Sequence, residues 1–206
     1  MQHALRVAGV DLDKIEFVDT KAKRTLASPT AVEMLVHGDV SGALVDPPFD
    51  LRAERQGMRR LEIASLPVIH NATMCVNRER AREDEQTTLA FLRSMVDAIH
   101  FFKTKPSETL AILEEHCAPF ISARPDEMDH VRAVWAALLS PKPYPHPLAV
   151  WNVYNLDSQH NPEADFIGPL EVWDTSYLRT VDDSGYIDAL YGGALQAKNP
   201  AVNPVI

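Results

Sequence analysis

Residues 38–49 read GDVSGALVDPPF, and this stretch decides the fold that the sequence predicts. It follows a short amphipathic helix and precedes a charged helix that ends at Gly57. The run Ala43-Leu44-Val45 has no polar alternation, which is typical of a strand buried on both faces. Open α/β sheets place ligands where such a strand leads into a helix. The sequence therefore predicts an α/β fold with a ligand site near Asp46.

Short predicted strands and helices alternate through the first 80 residues, which favours a mixed sheet with flanking helices. Ser28-Pro29 begins one helix and Gly38 ends it, because Ser suits the N-cap and Gly the left-handed C-cap. Further strands are predicted over residues 15–18, 61–64 and 73–76. The second half is predicted to be rich in helix, with helices at about 83–104, from Ser107, from Pro125, and at about 148–156 and 170–182.

The composition argues against several classes of protein. The chain has 206 residues, 46% of them hydrophobic, which is enough for one sizeable domain or two small lobes. Its formal net charge is −9 and no cluster of Lys or Arg stands out, so we expect no nucleic-acid partner. No apolar run approaches the roughly 20 residues that span a bilayer. For Cys75 and Cys117, two unrelated buried thiols are favoured over a disulfide.

Several segments, taken in order, resemble one family of solute-binding proteins. These proteins serve ABC importers of nitrate, sulfonates, taurine and aromatic acids, and they are related to thiamine-pyrimidine synthases. The similarity covers roughly residues 5–191 and depends on the order and spacing of the segments. The matching segments are residues 38–48, Val76-Asn77-Arg78-Glu79, FLRSMVDAI at 91–99, Lys105-Pro106-Ser107-Glu108, and LRTVDDSGYID at 178–188, which is similar to the family's D-x-G-(F/Y)-I-D ending.

This resemblance implies a type II periplasmic-binding-protein fold, in which two α/β lobes enclose a ligand cleft. Residues 1–46 are then the C-terminal portion of one lobe, and residues 47–206 form the second lobe with its crossing segments and helical C-terminal region. Asp46 and Pro47 contribute to the cleft wall in this arrangement. The first βα units of the family pattern have no counterpart in the chain.

The same resemblance implies the partners and the location. The expected partners are a small anionic or aromatic ligand, an ABC permease if the protein is full-length and exported, and a second copy of the chain that completes the missing lobe. Family membership implies the periplasm. The first nine residues lack the apolar core of a signal peptide, so we expect the cytoplasm if the chain is complete as given.

The candidate ligand residues in the first half each have a structural alternative. Asp46 can orient a polar ligand, or it can cap the helix that follows. His70, Asn71 and Thr73 lie in a segment predicted to cross between the lobes, where their side chains can face the cleft. The alternative for these three residues is turn chemistry and strand capping.

The second half of the sequence contributes one aromatic and one amide side chain as candidate ligand residues. Trp151 and Asn152 lie in the segment WNVYN, and a cleft for a planar ligand uses such rings. Core packing is the commoner use of Trp, so this alternative stays open.

No metal or cofactor is predicted. Adjacent residues on a helix diverge by about 100°, so Glu114-Glu115-His116-Cys117 cannot converge on one ion. Asp126 and His130 can share a helix face, but zinc requires three or four converging ligands, and a surface pair is favoured. The chain has no glycine-rich phosphate loop and no nucleophile elbow.

The first functional hypothesis is the substrate-binding component of an ABC-type importer, with hinge closure around the solute and no catalytic residue. The alternative is a decarboxylase on the same fold that acts on an aromatic carboxylate. It is suggested by Leu66-Pro67-Val68-Ile69-His70, which loosely resembles the decarboxylase stretch F-P-I-M-H, and His70 would protonate the carbanion. A third hypothesis is a fragment that depends on a partner.

Overall fold

The structure is a computed structural model that describes residues 5–6, 8–20, 27–61, 74–158, 161, 163, 166–168, 171, 173–193 and 195. Over these residues the chain is 64% helix and contains no strand. The predicted α/β fold of the periplasmic-binding-protein type II, with its mixed sheet, is therefore wrong. No helix in these ranges is both long enough and apolar enough to cross a membrane.

The described residues form one 3₁₀ turn, Leu12–Lys14, and ten α-helices. The α-helices are α1 (Ala27–His37), α2 (Phe49–Arg55), α3 (Arg78–Glu83), α4 (Glu85–Thr104), α5 (Pro106–His116), α6 (Ala118–Ile121), α7 (Pro125–Leu138), α8 (Pro147–Ser158), α9 (Ser176–Asp183) and α10 (Tyr186–Leu190).

The predicted strand Ala43-Leu44-Val45 is an extended connection between α1 and α2 that pairs with no other strand in the described part of the chain. Val45 packs against the small core formed by these helices, whereas the Leu44 side chain is 67% exposed. A run of three apolar residues becomes a strand only where a neighbour accepts its backbone hydrogen bonds. Here the Asp46 N–H donates instead to the Ser28 hydroxyl at 3.1 Å.

The other predicted strands are also absent from the residues that the structure describes. Residues 15–18 are irregular and follow the 3₁₀ turn. Met74 and Val76 are 60% and 61% exposed and lie outside any sheet. Leu61 is irregular too, and residues 62–73 lie outside the described ranges. Alternating or apolar short runs are ambiguous signals because they also suit extended connections between helices.

The helix termini were predicted more accurately. Gly38 has φ +80° and its N–H donates to the Leu35 carbonyl, while the Asp39 N–H donates to the Met34 carbonyl. Gly57 has φ +85° and closes α2 in the same way. Only glycine adopts this left-handed conformation without strain from a Cβ atom, so both predicted stops are confirmed.

The predicted helix at residues 83–104 is divided at its start. Asp84 ends α3, and its carboxylate accepts a hydrogen bond from the Thr87 N–H at 3.0 Å to cap α4. This bond lowers the pKa of Asp84. From Glu85 the helix runs to Thr104 and buries Val96 and Ile99, two members of the predicted apolar stripe.

The chain divides into two compact units. The first contains Met1–Ser65 and Pro106–Leu138, and the second contains Leu66–Lys105 and Leu139–Ile206. The boundary predicted at residue 46 stays a prediction.

The first unit is built on two pairs of helices. Helices α1 and α2 enclose Val32, Phe49 and Ala53, with Ile121 packed against them. Helix α5 packs along α7. Glu127 of α7 is buried although it is ionisable, and its partners are described below.

The second unit is centred on α4. Helices α9 and α10 pack against it, and Val96, Leu178, Val181 and Ile187 form the buried core. This packing brings the last two helices beside the C-terminal half of α4 and creates the groove described next.

Candidate functional site

Asp46, the first predicted ligand residue, forms hydrogen bonds that hold its own segment in place. Its carboxylate lies 3.5 Å from the Ser28 hydroxyl, which donates to it, and its N–H donates back to the same hydroxyl. Asp46 does not have the alternative role of a helix cap, because α2 begins after Pro48 with no side-chain cap. Pro47 is half-buried beside it. The Ser28–Asp46 pair fixes the start of α1 against the connection.

The other predicted ligand residues lie partly outside the described residues and partly in the second unit. His70, Asn71 and Thr73 lie outside the described residues. Trp151 and Asn152 lie on α8 in the second unit, whereas Asp46 and Pro47 lie in the first.

Trp151 is 52% exposed and its ring centroid lies 6.3 Å from that of Tyr154. Asn152 is half-buried. The Trp151 side chain is therefore on the surface and is not a core residue, although α8 does bury its neighbours Ala149 and Val150.

The second unit contains an open groove of about 560 Å³ between the C-terminal half of α4 and helix α10. None of its residues was predicted as a ligand residue. The described lining residues are Asp97, Ala98, His100, Phe101, Thr104 and Lys105 from α4 and its end, and Tyr186 and Leu190 from α10.

One end of the groove is formed by an acid and a phenol that join the two helices. The Tyr186 hydroxyl donates to the Asp97 carboxylate, with its oxygen 2.8 and 2.9 Å from the two carboxylate oxygens. This hydrogen bond raises the pKa of Tyr186. The guanidinium of Arg93 lies 5.7 Å from the centre of the Tyr186 ring, a cation–π contact. The Tyr186 ring is thus held in a defined place.

The other end of the groove is formed by aromatic surface and a cation. Phe101 is 38% exposed, and the ring of His100 is held edge-on against Tyr191 at 4.8 Å. The Thr104 hydroxyl donates to the His100 carbonyl at 2.7 Å. Lys105 is exposed, and no ion pair joins it to a described residue. Its ammonium group is available to an anion in the groove.

A partly buried ionic cluster holds the α10 wall of the groove in place. The Lys142 ammonium lies 2.7 Å from Asp182 and 3.0 Å from Asp188, and the Tyr144 hydroxyl donates to Asp182 at 3.1 Å. Burial, and then the hydrogen bond to Asp182, raises the pKa of Tyr144 to about 12. Because Asp188 lies between the lining residues Tyr186 and Leu190, the cluster anchors the helix that carries both.

The first unit contains a second charged cluster, and its geometry is that of a structural network. Arg52 and Arg55 of α2 both donate to the buried Glu127 of α7. Arg55 also pairs with Asp126. His130 lies 2.9 Å from Asp50, so the predicted pairing of His130 with Asp126 is replaced by contacts of both residues with α2.

No group of three or more His, Cys, Asp or Glu side chains converges as a metal site within the described ranges. The two cysteines, Cys75 and Cys117, are free, as the favoured interpretation predicted. Both are exposed, so the prediction that they are buried is wrong.

Comparisons with known proteins add no assignment. The chain matches no family model, no curated protein and no solved structure.

One sequence pattern among the groove residues could have indicated the groove. Asp97, Phe101 and Thr104 are spaced four and three residues apart, which places them on one face of a helix. That face carries an acid, a ring and a hydroxyl and differs from the buried stripe through Val96 and Ile99. A helix with two distinct functional faces is recognised only once its packing partner, α10, is known.

Proposed function

We propose that this protein reversibly binds a small anionic aromatic solute in the groove between α4 and α10, without covalent chemistry. The observation that carries the proposal is the exposed Lys105 ammonium beside the partly exposed Phe101 ring in a cavity of about 560 Å³. Small-molecule sites are concave, mostly apolar and about 300–1,000 Å³ in volume, with a few polar groups that orient the ligand.

Each wall of the groove contributes a different interaction. The rings of Phe101 and Tyr186 offer flat apolar surfaces to a planar solute, and aromatic pairs contribute about 0.5–1.5 kcal/mol beyond the area they bury. Lys105 offers a charge-assisted hydrogen bond to a carboxylate or sulfonate. Both helices are anchored, α4 by the core and α10 by Lys142, so little ordering is required on binding.

The described lining residues favour binding over catalysis. The Thr104 hydroxyl is committed to a backbone carbonyl, and Asp97 and Tyr186 are bonded to each other. A nucleophile requires a neighbouring base that accepts its proton. The Tyr186 phenol has such a neighbour in Asp97, but the hydrogen bond to Asp97 raises the pKa of Tyr186 and so disfavours the phenolate that would act as the nucleophile. The decarboxylase hypothesis depends on His70 and stays a prediction.

The biological role that we propose is the substrate-binding component of an ABC-type importer, with a permease as its partner. This part of the proposal is supported only by the sequence resemblance, and it does not include the α/β fold that the resemblance implied. The second copy that would complete a missing lobe also stays a prediction.

The test is to incubate the purified chain with benzoates, aryl sulfonates and aliphatic anions and to identify retained and released molecules by mass spectrometry. We expect an aromatic anion to be retained unchanged, and Phe101→Ala to reduce its retention. Phe91→Ala is the matched control, because Phe91 lies on the same helix, is 43% exposed and lies outside the groove. Release of a product lighter by carbon dioxide, or equal loss of retention in both variants, would overturn the proposal.

A further inference from the structure

The groove has opposite charges at its two ends. Asp97 and Lys105 both line it and are eight residues apart, which corresponds to a rise of about 12 Å along a helix. Among the described lining residues, Asp97 is the only Asp or Glu and Lys105 is the only Lys or Arg. The aromatic side chains of His100, Phe101 and Tyr186 also line the groove.

Asp97 retains the capacity to bind a ligand although it already bonds to Tyr186. The phenol supplies one hydrogen, and its oxygen lies almost equally far from both carboxylate oxygens. A carboxylate offers about four lone-pair sites, so further donors can be accepted. Asp97 is also exposed, and a ligand can reach it without displacing a core residue.

Lys105 serves the opposite end. It follows the last residue of α4, where the helix dipole is negative. Without the Lys105 charge, this end of the groove would repel an anion. An anionic group therefore binds at the Lys105 end only through the ammonium, whereas the Asp97 end favours a cation.

We propose that the ligand is an aromatic zwitterion: a planar ring with a carboxylate or sulfonate at one end and a protonated amine at the other. The anionic group pairs with Lys105, the ring lies against Phe101 and Tyr186, and the ammonium group donates to Asp97. This inference rests on the proposed function, because it names the class of solute for the same groove. The contact between the ligand's ammonium group and Asp97 makes the groove bind the zwitterion more tightly than simple benzoates.

The experiment is calorimetric titration of the full chain with three probes of similar shape. They are 4-(aminomethyl)benzoate, 4-ethylbenzoate, which lacks the amine, and 4-isopropylbenzylamine, which lacks the carboxylate. We expect the zwitterion to bind up to about fivefold more tightly than 4-ethylbenzoate, the upper value for an exposed ion pair. Asp97→Asn should remove this advantage, so that the variant binds the zwitterion no more tightly than 4-ethylbenzoate.

Two further variants complete the experiment. Lys105→Met should weaken the binding of both carboxylate probes and leave the affinity for 4-isopropylbenzylamine nearly unchanged. Glu85→Gln is the matched control, because it removes an acidic charge from α4 outside the groove and should alter no affinity. Equal affinities of the wild-type chain for the zwitterion and 4-ethylbenzoate would overturn this inference but not the proposed function. No binding of any probe would overturn both.

Discussion

Arg52 and Glu127 are joined by two parallel hydrogen bonds, from Nε to Oε1 at 3.1 Å and from Nη2 to Oε2 at 2.8 Å. The same guanidinium donates to the carbonyls of Ile121 and Ser122 and stacks 4.8 Å from the centre of the Phe49 ring. One side chain of α2 thus contacts the end of α6 and the start of α7. The pair is the main polar connection between these helices in the first unit.

Glu127→Ala should destabilise the first unit by about 3–5 kcal/mol, because it leaves Arg52 without its buried partner. Glu127→Gln keeps hydrogen-bonding capacity and should cost less, about 1.5–3 kcal/mol. Asp129→Asn is the control on the same helix: Asp129 is 60% exposed and pairs with Arg132, so its loss should cost about 0.2–1 kcal/mol. Urea denaturation of the three variants measures these differences. Similar losses for Glu127→Ala and Asp129→Asn would contradict the structural role of Glu127.

The stability of the first unit should decrease in acid because of Glu127. The hydrogen bonds from Arg52, opposed by burial, hold the pKa of Glu127 below its ordinary value of 4.5. The folded chain therefore keeps this carboxylate ionised at a pH where the unfolded chain has protonated it. The contribution is fully present above about pH 4.5 and is lost as the pH falls through the folded pKa. Denaturation midpoints from pH 6 to pH 3 should fall less steeply for Glu127→Gln than for the wild type, and parallel slopes would refute this.

The Lys142 cluster should control the stability of the second unit. Lys142→Met leaves the partly buried carboxylates of Asp182 and Asp188 without their shared cation and should destabilise that unit by about 1–3 kcal/mol. Burial opposes the charged form of Lys142, but the hydrogen bonds with the two carboxylates outweigh it and raise its pKa above 10.5. Its contribution is therefore present below pH 10.5 and is lost as the pH rises through the folded pKa. Lys105→Met is the control on an exposed lysine and should change the denaturation midpoint little.

Tyr144 should ionise only at high pH because it is partly buried and bonded to Asp182. Its pKa of about 12 means that the unfolded chain loses the phenol proton first, so stability decreases as the pH rises above about 10. Ultraviolet absorbance titration of the native chain should contain a step near pH 12 that is missing from Tyr144→Phe. A native titration curve that is complete by pH 10.5 would contradict the buried hydrogen bond to Asp182.

Both thiols should react rapidly with a water-soluble thiol reagent in the native protein, because Cys75 and Cys117 are free and exposed. A colorimetric assay without reductant or denaturant should detect two thiols per chain, and each Cys→Ser variant should lose one. Detection of both thiols only after reduction would indicate a disulfide and would contradict the structure.

The helices could be predicted from sequence because their signals are local. Gly38 and Gly57 stop their helices through a backbone conformation that other residues resist, and the stripe through Val96 and Ile99 repeats at the helical period. These effects act within a few residues, so they do not depend on the rest of the fold. Asp84 lies inside the helix predicted at about 83–104, and only the structure identified it as the cap that separates α3 from α4.

Whether a sheet forms and where the groove lies both depend on distant residues, and the sequence did not reveal either. Ala43-Leu44-Val45 has the composition of a buried strand, but a strand exists only if another pairs with it. The Asp46 carboxylate accepts a hydrogen bond from Ser28, 18 positions away, a contact that the sequence did not indicate, and its ligand role stays a prediction. The groove likewise requires α10 to pack beside α4, which brings Tyr186 to Asp97 across 89 positions.

The most direct test of the account is an NMR titration of the ¹⁵N-labelled full chain with 4-(aminomethyl)benzoate. We predict saturable shifts of the backbone amides at residues 97–105 and 186–190, which form the two walls of the groove. The amides around Glu127 in the first unit should not move. Saturable shifts confined to another surface, such as the exposed Trp151 on α8, or no shifts at millimolar probe concentration, would contradict the claim that this groove is the binding site.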